Sequence, residues 1–206
     1  MSITKPRIYL SSQSPRRREL LKQINVNFEM LLLRHDPRRE ISVDETPAEN
    51  ENPTDYVQRV CQLKAQAGWN ALLLRNLPPF PVLAADTTVT IDKQIIGKPR
   101  DNAHAAEILR TLSGRQHQVL TTVAVSFADR VEMRLSTTTV TFAKLDDERI
   151  NRYLFSNEAH DKAGAYGIQG YAGAFVERIE GSYTGVMGLP LFETVELLKN
   201  FGYPAP

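Results

Sequence analysis

The sequence has a single cysteine, Cys61, so no disulfide bond can form within the chain. This suits a reducing compartment, and the helical pattern around Cys61 predicts a small core residue. No apolar run approaches the roughly 20 residues that a membrane-spanning helix needs, and the N-terminus has no secretory signal pattern. We therefore expect a cytoplasmic protein that does not bind a membrane.

An excess of charge of one sign is also absent, since 25 Lys and Arg residues stand against 24 Asp and Glu residues, for a net charge of +1. This balance argues against a protein that coats nucleic acid, although it is compatible with a local basic pocket. The four histidines have no metal-ligand spacing. The sequence also lacks the G-x-x-x-x-G-K-[ST] motif of P-loop proteins and the G-x-S-x-G motif of α/β-hydrolases, which counts against both classes.

Apolar periodicity predicts alternating strands and helices over the 206 residues, a length that can bury a sizeable core. The predicted strands are 8–10, 26–33, 81–86, 87–91, 94–96, 119–127, 131–142 and 173–179, with a hairpin turn at 92–93. The predicted helices begin after Ser14, at Thr54 as N-cap, at Asp101 or Asn102 as N-cap, at 146 and at Pro190. The first is followed by Asn25 as a left-handed C-cap, and the second ends at about 70. The polar stretch 34–53 between two of these elements is predicted to be a long surface loop.

The most informative local pattern follows the first strand. Ser14 followed by Pro15 is typical of a helix start, with Ser as the N-cap and Pro at the first helical position. Arg16, Arg17 and Arg18 then fall in the first turn, where the helix dipole costs each exposed cation roughly 0.3–1 kcal/mol. A bound phosphate would relieve this cost and satisfy the free N–H groups of the turn. The alternative, three solvated arginines, stays open on these residues alone.

Two further residues are candidates because of where their elements place them. Asp86 ends a near-continuous apolar run, which is typical of a strand buried on both faces, and ligands in open α/β sheets bind at the carboxyl ends of strands. Lys64 follows Val60 and Cys61 by one turn on the apolar side of its predicted helix. Its side chain either extends along the surface to solvent or points into a polar pocket. Between 163 and 170, three glycines permit close approach of the backbone to a ligand.

Taken together, these stretches resemble the Maf family of nucleoside triphosphate pyrophosphatases. The matching stretches, in the family's order, are S-Q-S-P-R-R at 12–17, 56–65 ending in K-A, A-D-T at 85–87, G-K-P at 97–99, L-S-G at 112–114 with His117, 161–170 and 181–190. Each is weak alone, but together they span nearly the whole chain, and one such domain over residues 1–206 is expected. Within the family, the chain resembles the branch that acts on dTTP and UTP, which has Pro-Arg-Arg, Asp-Thr and Tyr-Gly-Ile-Gln-Gly. The branch that acts on 7-methyl-GTP differs at these positions. The chain departs from the family pattern at 31–40, which is lengthened, and at Asn25, where Gly is usual.

The resemblance implies a fold, an activity and a partner. The fold is α/β, with an elongated mixed β-sheet, flanking helices and a cleft between two lobes, similar to that of inosine triphosphate pyrophosphatases. The activity is hydrolysis of a nucleoside triphosphate to the monophosphate and pyrophosphate with Mg²⁺ or Mn²⁺, and the expected role is sanitation of the nucleotide pool. The resemblance also implies a homodimer.

The same resemblance implies the site residues. The catalytic residues are Asp86, Lys64, Lys98 and Glu45, of which Asp86 and Glu45 would hold the metal, a hard ion that prefers oxygen ligands. The residues for substrate binding and specificity are Ser12, Arg16, Arg17, Thr87 and Gln169. The arginines and lysines suit a triphosphate, and the amide of Gln169 matches the C=O/N–H edge of uracil or thymine, although a flipped amide would also serve cytosine.

Three other functions are set against this one. A nucleotide-binding regulator of cell division without hydrolytic activity is disfavoured by the presence of Asp86, Lys64 and Lys98. A 7-methyl-GTP pyrophosphatase of the same family is disfavoured by the residues at 16, 87 and 169. A nucleic-acid-binding module that uses the three arginines is disfavoured by the near-zero net charge and by the lack of a base-stacking aromatic motif.

Overall fold

The computed structural model of the protein describes residues 7–33 and 43–204. Most of the lengthened stretch 31–40 lies outside the described residues. The strands are β1 (Ile8–Leu10), β2 (Phe28–Met30), β3 (Val82–Ile91), β4 (Gln94–Ile96), β5 (Gln116–Phe127), β6 (Arg130–Phe142) and β7 (Val176–Glu180). The helices are α1 (Pro15–Gln23), α2 (Pro53–Leu74), α3 (Asn102–Leu112), α4 (Asp147–Leu154), α5 (Tyr183–Val186) and α6 (Leu191–Asn200). In these two ranges, no helix has both the length and the apolar character needed to cross a membrane.

One mixed sheet organises the chain, with strand order β2-β1-β3-β5-β6-β7 and β4 paired to β3. β1 is parallel to both β2 and β3, and the other pairs are antiparallel. The predicted α/β class with a mixed sheet and flanking helices is confirmed. The predicted strand 26–33 shortens to Phe28–Met30, the residues that pair with β1.

A gap along one edge of β3 determines where a ligand can reach the sheet. β1 pairs with β3 only at Val82 and Leu83, and β4 pairs only with residues 89–91. β5 occupies the other edge from Val82 to Thr90, so β1 and β4 lie on the same edge. Among the described residues, positions 84–88 have no strand partner on that edge. A ligand at this edge can therefore contact the backbone of 84–88 and side chains on both faces of the sheet.

Asp86 lies inside this gap, in the middle of β3. The prediction that it ends a strand is wrong, because the hairpin to β4 extends β3 to Ile91. Asp86 nevertheless lies where a ligand can reach it, as expected. Parallel pairing with β1 stops at Leu83 and leaves Asp86 next to the turn between β1 and α1.

Helices cover both faces of the sheet. On one face, α2 packs closely through small residues, because Cys61 and Ala65 contact Ala84 and Ala124. The opposite face carries two larger apolar clusters, one under α1 and α6 and the other under α3 and α4. The structure thus places two cores side by side along the sheet.

A polar pair separates these two clusters. Ala85 belongs to the first and Val89 to the second, and Thr87 lies between them on the same face. The hydroxyls of Thr87 and Thr121 are 3.0 Å apart, and Thr121 donates to the carbonyl of Gly185 at 2.8 Å. This polar boundary divides the face into two lobes and lies beside the gap in the sheet edge.

The start of α2 differs from its prediction. The side chain of Asn52 accepts a hydrogen bond from the backbone N–H of Thr54 at 2.9 Å, and Pro53 occupies the first turn. Asn52 is therefore the N-cap, and the prediction of Thr54 at that position is wrong. The helix also continues to Leu74, one turn beyond the predicted end at 70.

Candidate active site

A cleft of about 1040 Å³ opens at the free edge of β3. All nine residues that the resemblance implies for the site line it: Ser12, Arg16, Arg17, Glu45, Lys64, Asp86, Thr87, Lys98 and Gln169. They come from the β1–α1 turn, the first turn of α1, the segment before α2, α2 itself, β3, the turn after β4 and the loop before β7. Folding thus brings together residues that are separated by more than 150 positions in the sequence.

The β1–α1 turn begins as its sequence predicts. The side chain of Ser14 accepts from the N–H of Arg17 at 3.5 Å, with Pro15 in the first helical turn. Asn25 has a φ of 54° just beyond the end of α1, which fits its predicted left-handed conformation. These local features place Arg16 and Arg17 at the mouth of the gap.

Arg17 turns into the protein. Its Nη1 donates to the carbonyl of Ala85 at 2.7 Å and to Ser12 Oγ at 3.1 Å, and its Nε donates to the carbonyl of Gly188 at 2.7 Å. Its Nη2 donates to Thr87 Oγ1 at 3.2 Å. Burial lowers the pKa of the guanidinium, and the nearby Asp86 carboxylate opposes that shift. Four of its five N–H groups therefore hold other parts of the site, and little of its hydrogen-bonding capacity is left for a ligand.

Arg16 and Lys98 differ from Arg17 in their hydrogen bonding within the described residues. Both line the cleft, and within ranges 7–33 and 43–204 neither forms a hydrogen bond or an ion pair. The Arg16 guanidinium lies against Gly167, where a Cβ would be 3.3 Å from Nη2. Two cations are thus available to a ligand in the cleft, one from each side of the gap.

Lys64 lies between two carboxylates. Its Nζ is 2.7 Å from Asp86 Oδ1 and 3.0 Å from Glu45 Oε1, and only 18% of the side chain is exposed. Of the two orientations that the sequence allowed, the structure shows the polar pocket. The reason is that α2 lies directly over the central strands, so a residue one turn after Cys61 faces β3 at Asp86.

Glu45 is held by side chains of α2. Its carbonyl accepts a hydrogen bond from Tyr56 Oη at 3.0 Å, and Arg59 donates to the carbonyls of Asp44 and Thr46 at 3.3 and 3.1 Å. Burial raises the pKa of the Tyr56 phenol to about 12, helped by the charges of Asp86 and Glu45, so it stays a donor at neutral pH. The segment that carries Glu45 is therefore fixed on the helix that carries Lys64.

Cys61 has no part in this chemistry. It is fully buried, and its Sγ lies 3.3 Å from the carbonyl of Thr122. Burial raises the thiol pKa to about 12, so the thiolate is not populated at neutral pH. The prediction of a core cysteine is confirmed.

Oxygen ligands for a metal are present but few. Asp86 and Glu45 converge on one point that the ammonium of Lys64 shares. In the described part of the chain, no group of three or more His, Cys, Asp or Glu residues is placed to hold a metal. Mg²⁺ commonly binds through one or two carboxylates and takes its other ligands from phosphates and water. The donor set therefore fits a divalent ion that arrives with a phosphorylated substrate.

The charges around the cleft fit the same ligand. Five cations and three carboxylates line it, so the lining has a net charge of about +2. The fifth cation is Lys162, which contacts Asp161 at 2.5 Å and which sequence reasoning missed. Its position just before the glycine-rich stretch 163–170 is the sequence feature that could have indicated it. Together with a divalent ion, the lining carries about four positive charges, which matches a fully ionised nucleoside triphosphate.

Comparisons with known proteins find similar sequences over nearly the whole chain. A family model described as "Maf-like protein" matches residues 7–201. A dTTP/UTP pyrophosphatase of Nitrosomonas europaea is 54% identical over 195 residues, which cover 95% of this chain and 94% of the relative. One from Aromatoleum aromaticum is 55% identical over 199 residues, covering 96% and 97%. One from Chromobacterium violaceum is 48% identical over all 206 residues, covering the whole of both chains.

Proposed function

The chain belongs to the Maf family, and we propose that it is a metal-dependent pyrophosphatase that hydrolyses dTTP and UTP to the nucleoside monophosphate and pyrophosphate. The observation that carries the proposal is the cleft itself. It places paired carboxylates, an amide side chain and two cations that have no hydrogen-bond or ion-pair partner among the described residues around a single space large enough for a nucleotide. The names of the similar proteins from Nitrosomonas europaea and Aromatoleum aromaticum support the choice of substrate.

We infer that the phosphates bind at the mouth of the gap. Arg16 and Lys98 line the cleft and form no hydrogen bond or ion pair among the described residues, so they can contact phosphate oxygens without breaking such a bond. The N-terminus of α1 adds a favourable dipole. This placement also accounts for Arg16 in a first helical turn, where without a ligand a cation is unfavourable.

Asp86 and Glu45 would hold the divalent ion in this proposal. When bound, the ion neutralises phosphate charge and lowers the pKa of a bound water. Lys64 lies between the two carboxylates, and it can keep them close together before the ion arrives and contact a phosphate afterwards. The chain's own contribution is the fixed position of these three groups.

The hydrolytic step follows from the position of Asp86. Its Oδ1 faces the point shared with Glu45, where the ion would be held, which leaves Oδ2 to accept the proton of an attacking water. The water oxygen forms a bond to the α-phosphorus, and the bond from that phosphorus to the bridging oxygen breaks. Pyrophosphate leaves with the electron pair, while Arg16 and Lys98 stabilise the charge that develops on it.

The base is selected in this proposal by the loop that carries Gln169. The Gln169 side chain is exposed in the cleft lining and has no internal hydrogen bond within the described residues, so its amide is free to pair with the imide edge of uracil or thymine. Thr87 is short and is held by Arg17 and Thr121, which leaves space beside it for a six-membered ring.

A nucleotide panel tests the proposal. The chain is assayed on dTTP, UTP, CTP, GTP and 7-methyl-GTP with Mg²⁺ and with Mn²⁺, and the products are identified. We expect dTTP and UTP to give the highest kcat/KM, with release of pyrophosphate and no turnover when the metal is chelated. Preference for 7-methyl-GTP would move the chain to the other branch of the family. Tight binding without turnover would make it a nucleotide-binding regulator.

A cellular role and an oligomeric state are part of the same proposal. A pyrophosphatase of this kind would remove unwanted pyrimidine nucleotides from the cytoplasmic pool and would act as a homodimer. Gel filtration with light scattering tests the dimer. A monomer at micromolar concentration with full activity would overturn that part without affecting the enzymatic proposal.

A further inference from the structure

His117 lies in the matched L-S-G…H stretch, and the proposed reaction gives it no part. It is on β5, only 2% exposed, and packs edge-on against Phe142 with ring centroids 4.9 Å apart. Its Nε2 is 2.7 Å from Tyr166 Oη. Its Nδ1 has no hydrogen-bond partner among the residues that the structure describes. The bond to Tyr166 is therefore its one polar side-chain contact there.

Tyr166 opens the loop that carries Gln169. Among the described residues, the backbone groups of 166–169 form one hydrogen bond with another backbone group. It runs from the Gly170 N–H to the carbonyl of Gly167, at 3.1 Å, and closes a turn of the loop itself. This loop therefore depends on side chains for its position. Tyr166 is buried, and its ring packs edge-on against both His117 and Phe142.

We propose that His117 is a positioning residue for base recognition, which fixes the loop of Gln169 through its hydrogen bond to Tyr166. This inference rests on the proposed function. The ring of His117 lies beneath the cleft and does not line it, so it acts on substrate only through Tyr166. The hydrogen bond fixes the depth and rotation of the Tyr166 ring, and the ring fixes where the loop leaves the core.

The reason for a histidine is found in its surroundings. A purely apolar side chain would fill the same space between Phe142 and Tyr166, but it would leave the tyrosine hydroxyl without a partner inside an apolar cluster. Burial lowers the pKa of His117 to about 4, so the ring is neutral in the physiological range and keeps one fixed hydrogen bond. The hydrogen bond is thus independent of pH in the physiological range.

The experiment compares Tyr166→Phe, His117→Phe and the double variant with wild type. Each single change removes one partner and keeps a ring of similar shape. Tyr203→Phe is the matched control, because Tyr203 is also buried and its hydroxyl accepts a hydrogen bond from Asn27 N–H at 2.7 Å, but it does not line the cleft. All are assayed well below the melting temperature of the least stable variant.

We expect Tyr166→Phe and His117→Phe each to lower kcat/KM on dTTP and UTP by about tenfold, mainly through KM, because a displaced loop misaligns Gln169. Activity on GTP, which Gln169 does not match, should change less than about threefold by the same reasoning. The double variant should be no worse than either single variant. Tyr203→Phe should lower stability and leave the dTTP-to-GTP ratio unchanged.

Three results would overturn the inference: unchanged kinetics in Tyr166→Phe, an equal loss on dTTP and GTP, or additive losses in the double variant. These are distinguishable from failure of the proposed function. If wild type itself does not hydrolyse dTTP or UTP, the proposed function falls and this inference falls with it. If wild type is active and the ratio is unaffected by the variants, only the positioning role is wrong.

Discussion

Arg16 and Arg17 are adjacent residues of the same type, but they differ in their hydrogen bonding to the rest of the protein. Arg17 donates to four groups of the protein, whereas Arg16 contacts none by hydrogen bond in the described part of the chain. Replacing each by Met keeps an unbranched apolar stem and removes the charge. We expect the two variants to separate stability from activity.

Arg17→Met should be strongly destabilised. It leaves two carbonyls, of Ala85 and Gly188, and two hydroxyls without their donor. At about 1 kcal/mol for each part-buried acceptor left without its donor, the four lost bonds together cost about 3–5 kcal/mol. At roughly 2–4 °C per kcal/mol for a chain of this size, the melting temperature should fall by about 6–20 °C. Activity should fall as well, because Ser12 and Thr87 lose their support.

Arg16→Met should be at least as stable as wild type. Removing a cation from a first helical turn relieves roughly 0.3–1 kcal/mol, so the melting temperature should rise by about 1–4 °C. The loss of a charged hydrogen bond to phosphate, about 1.5–3 kcal/mol, should lower kcat/KM on dTTP by roughly 10- to 150-fold.

Thermal melts followed by circular dichroism and steady-state kinetics on dTTP measure both quantities. If Arg17→Met melts within about 2 °C of wild type, a change typical of an unengaged surface residue, its internal bonds do not matter and it is a phosphate ligand instead. If Arg16→Met melts several degrees lower and keeps normal kinetics, Arg16 is structural and the assignment of the free cation is wrong.

Three further predictions follow from the same geometry. Lys98→Ala should raise the KM for dTTP and shift the melting temperature by no more than about 2 °C, as expected for an exposed side chain; a large drop in stability with normal kinetics would make it structural. Gln169→Glu should lose roughly 5- to 150-fold in kcat/KM on dTTP and UTP, because a carboxylate cannot donate to the base, and less on GTP; a uniform loss would place Gln169 in the phosphate chemistry. Burial lowers the pKa of His117 from 6.5 to about 4. Between these two pH values the unfolded chain binds a proton at this residue and the folded chain does not. Stability should therefore fall by about 3 kcal/mol as the pH drops through this window, and urea titrations should show a smaller fall in His117→Phe; the same fall in both proteins would contradict it.

Local features of the fold were predictable where the cause is local. Ser14 followed by Pro15 starts α1 as predicted, and Asp101 caps α3 by accepting from His104 N–H at 2.7 Å. The hairpin at 92–93 also follows its prediction, with both central residues in the left-handed region. Capping and turn chemistry depend on a few adjacent residues, so a sequence pattern is sufficient to specify them.

Features that depend on distant partners were not predictable from local patterns. The choice of Arg17 as the internal arginine depends on carbonyls at Ala85 and Gly188, which are 68 and 171 positions away. Likewise, the sequence left two orientations for the Lys64 side chain, toward solvent or into a pocket. The choice between them depends on how α2 lies over β3. The composition of the site came from the family resemblance, and the structure adds which of its cations are free.

The most direct test of the central claim is hydrolysis of dTTP in ¹⁸O-labelled water with Mg²⁺, followed by mass spectrometry of the products from wild type and from Asp86→Asn. We expect wild type to give equal amounts of dTMP and pyrophosphate, with one ¹⁸O in dTMP and none in pyrophosphate, because the water attacks the α-phosphorus. Asp86→Asn should keep its fold and retain less than about a tenth of the activity, because the amide is a poor proton acceptor and metal ligand. Label in pyrophosphate, products of dTDP and phosphate, or an active Asp86→Asn would contradict the proposed chemistry.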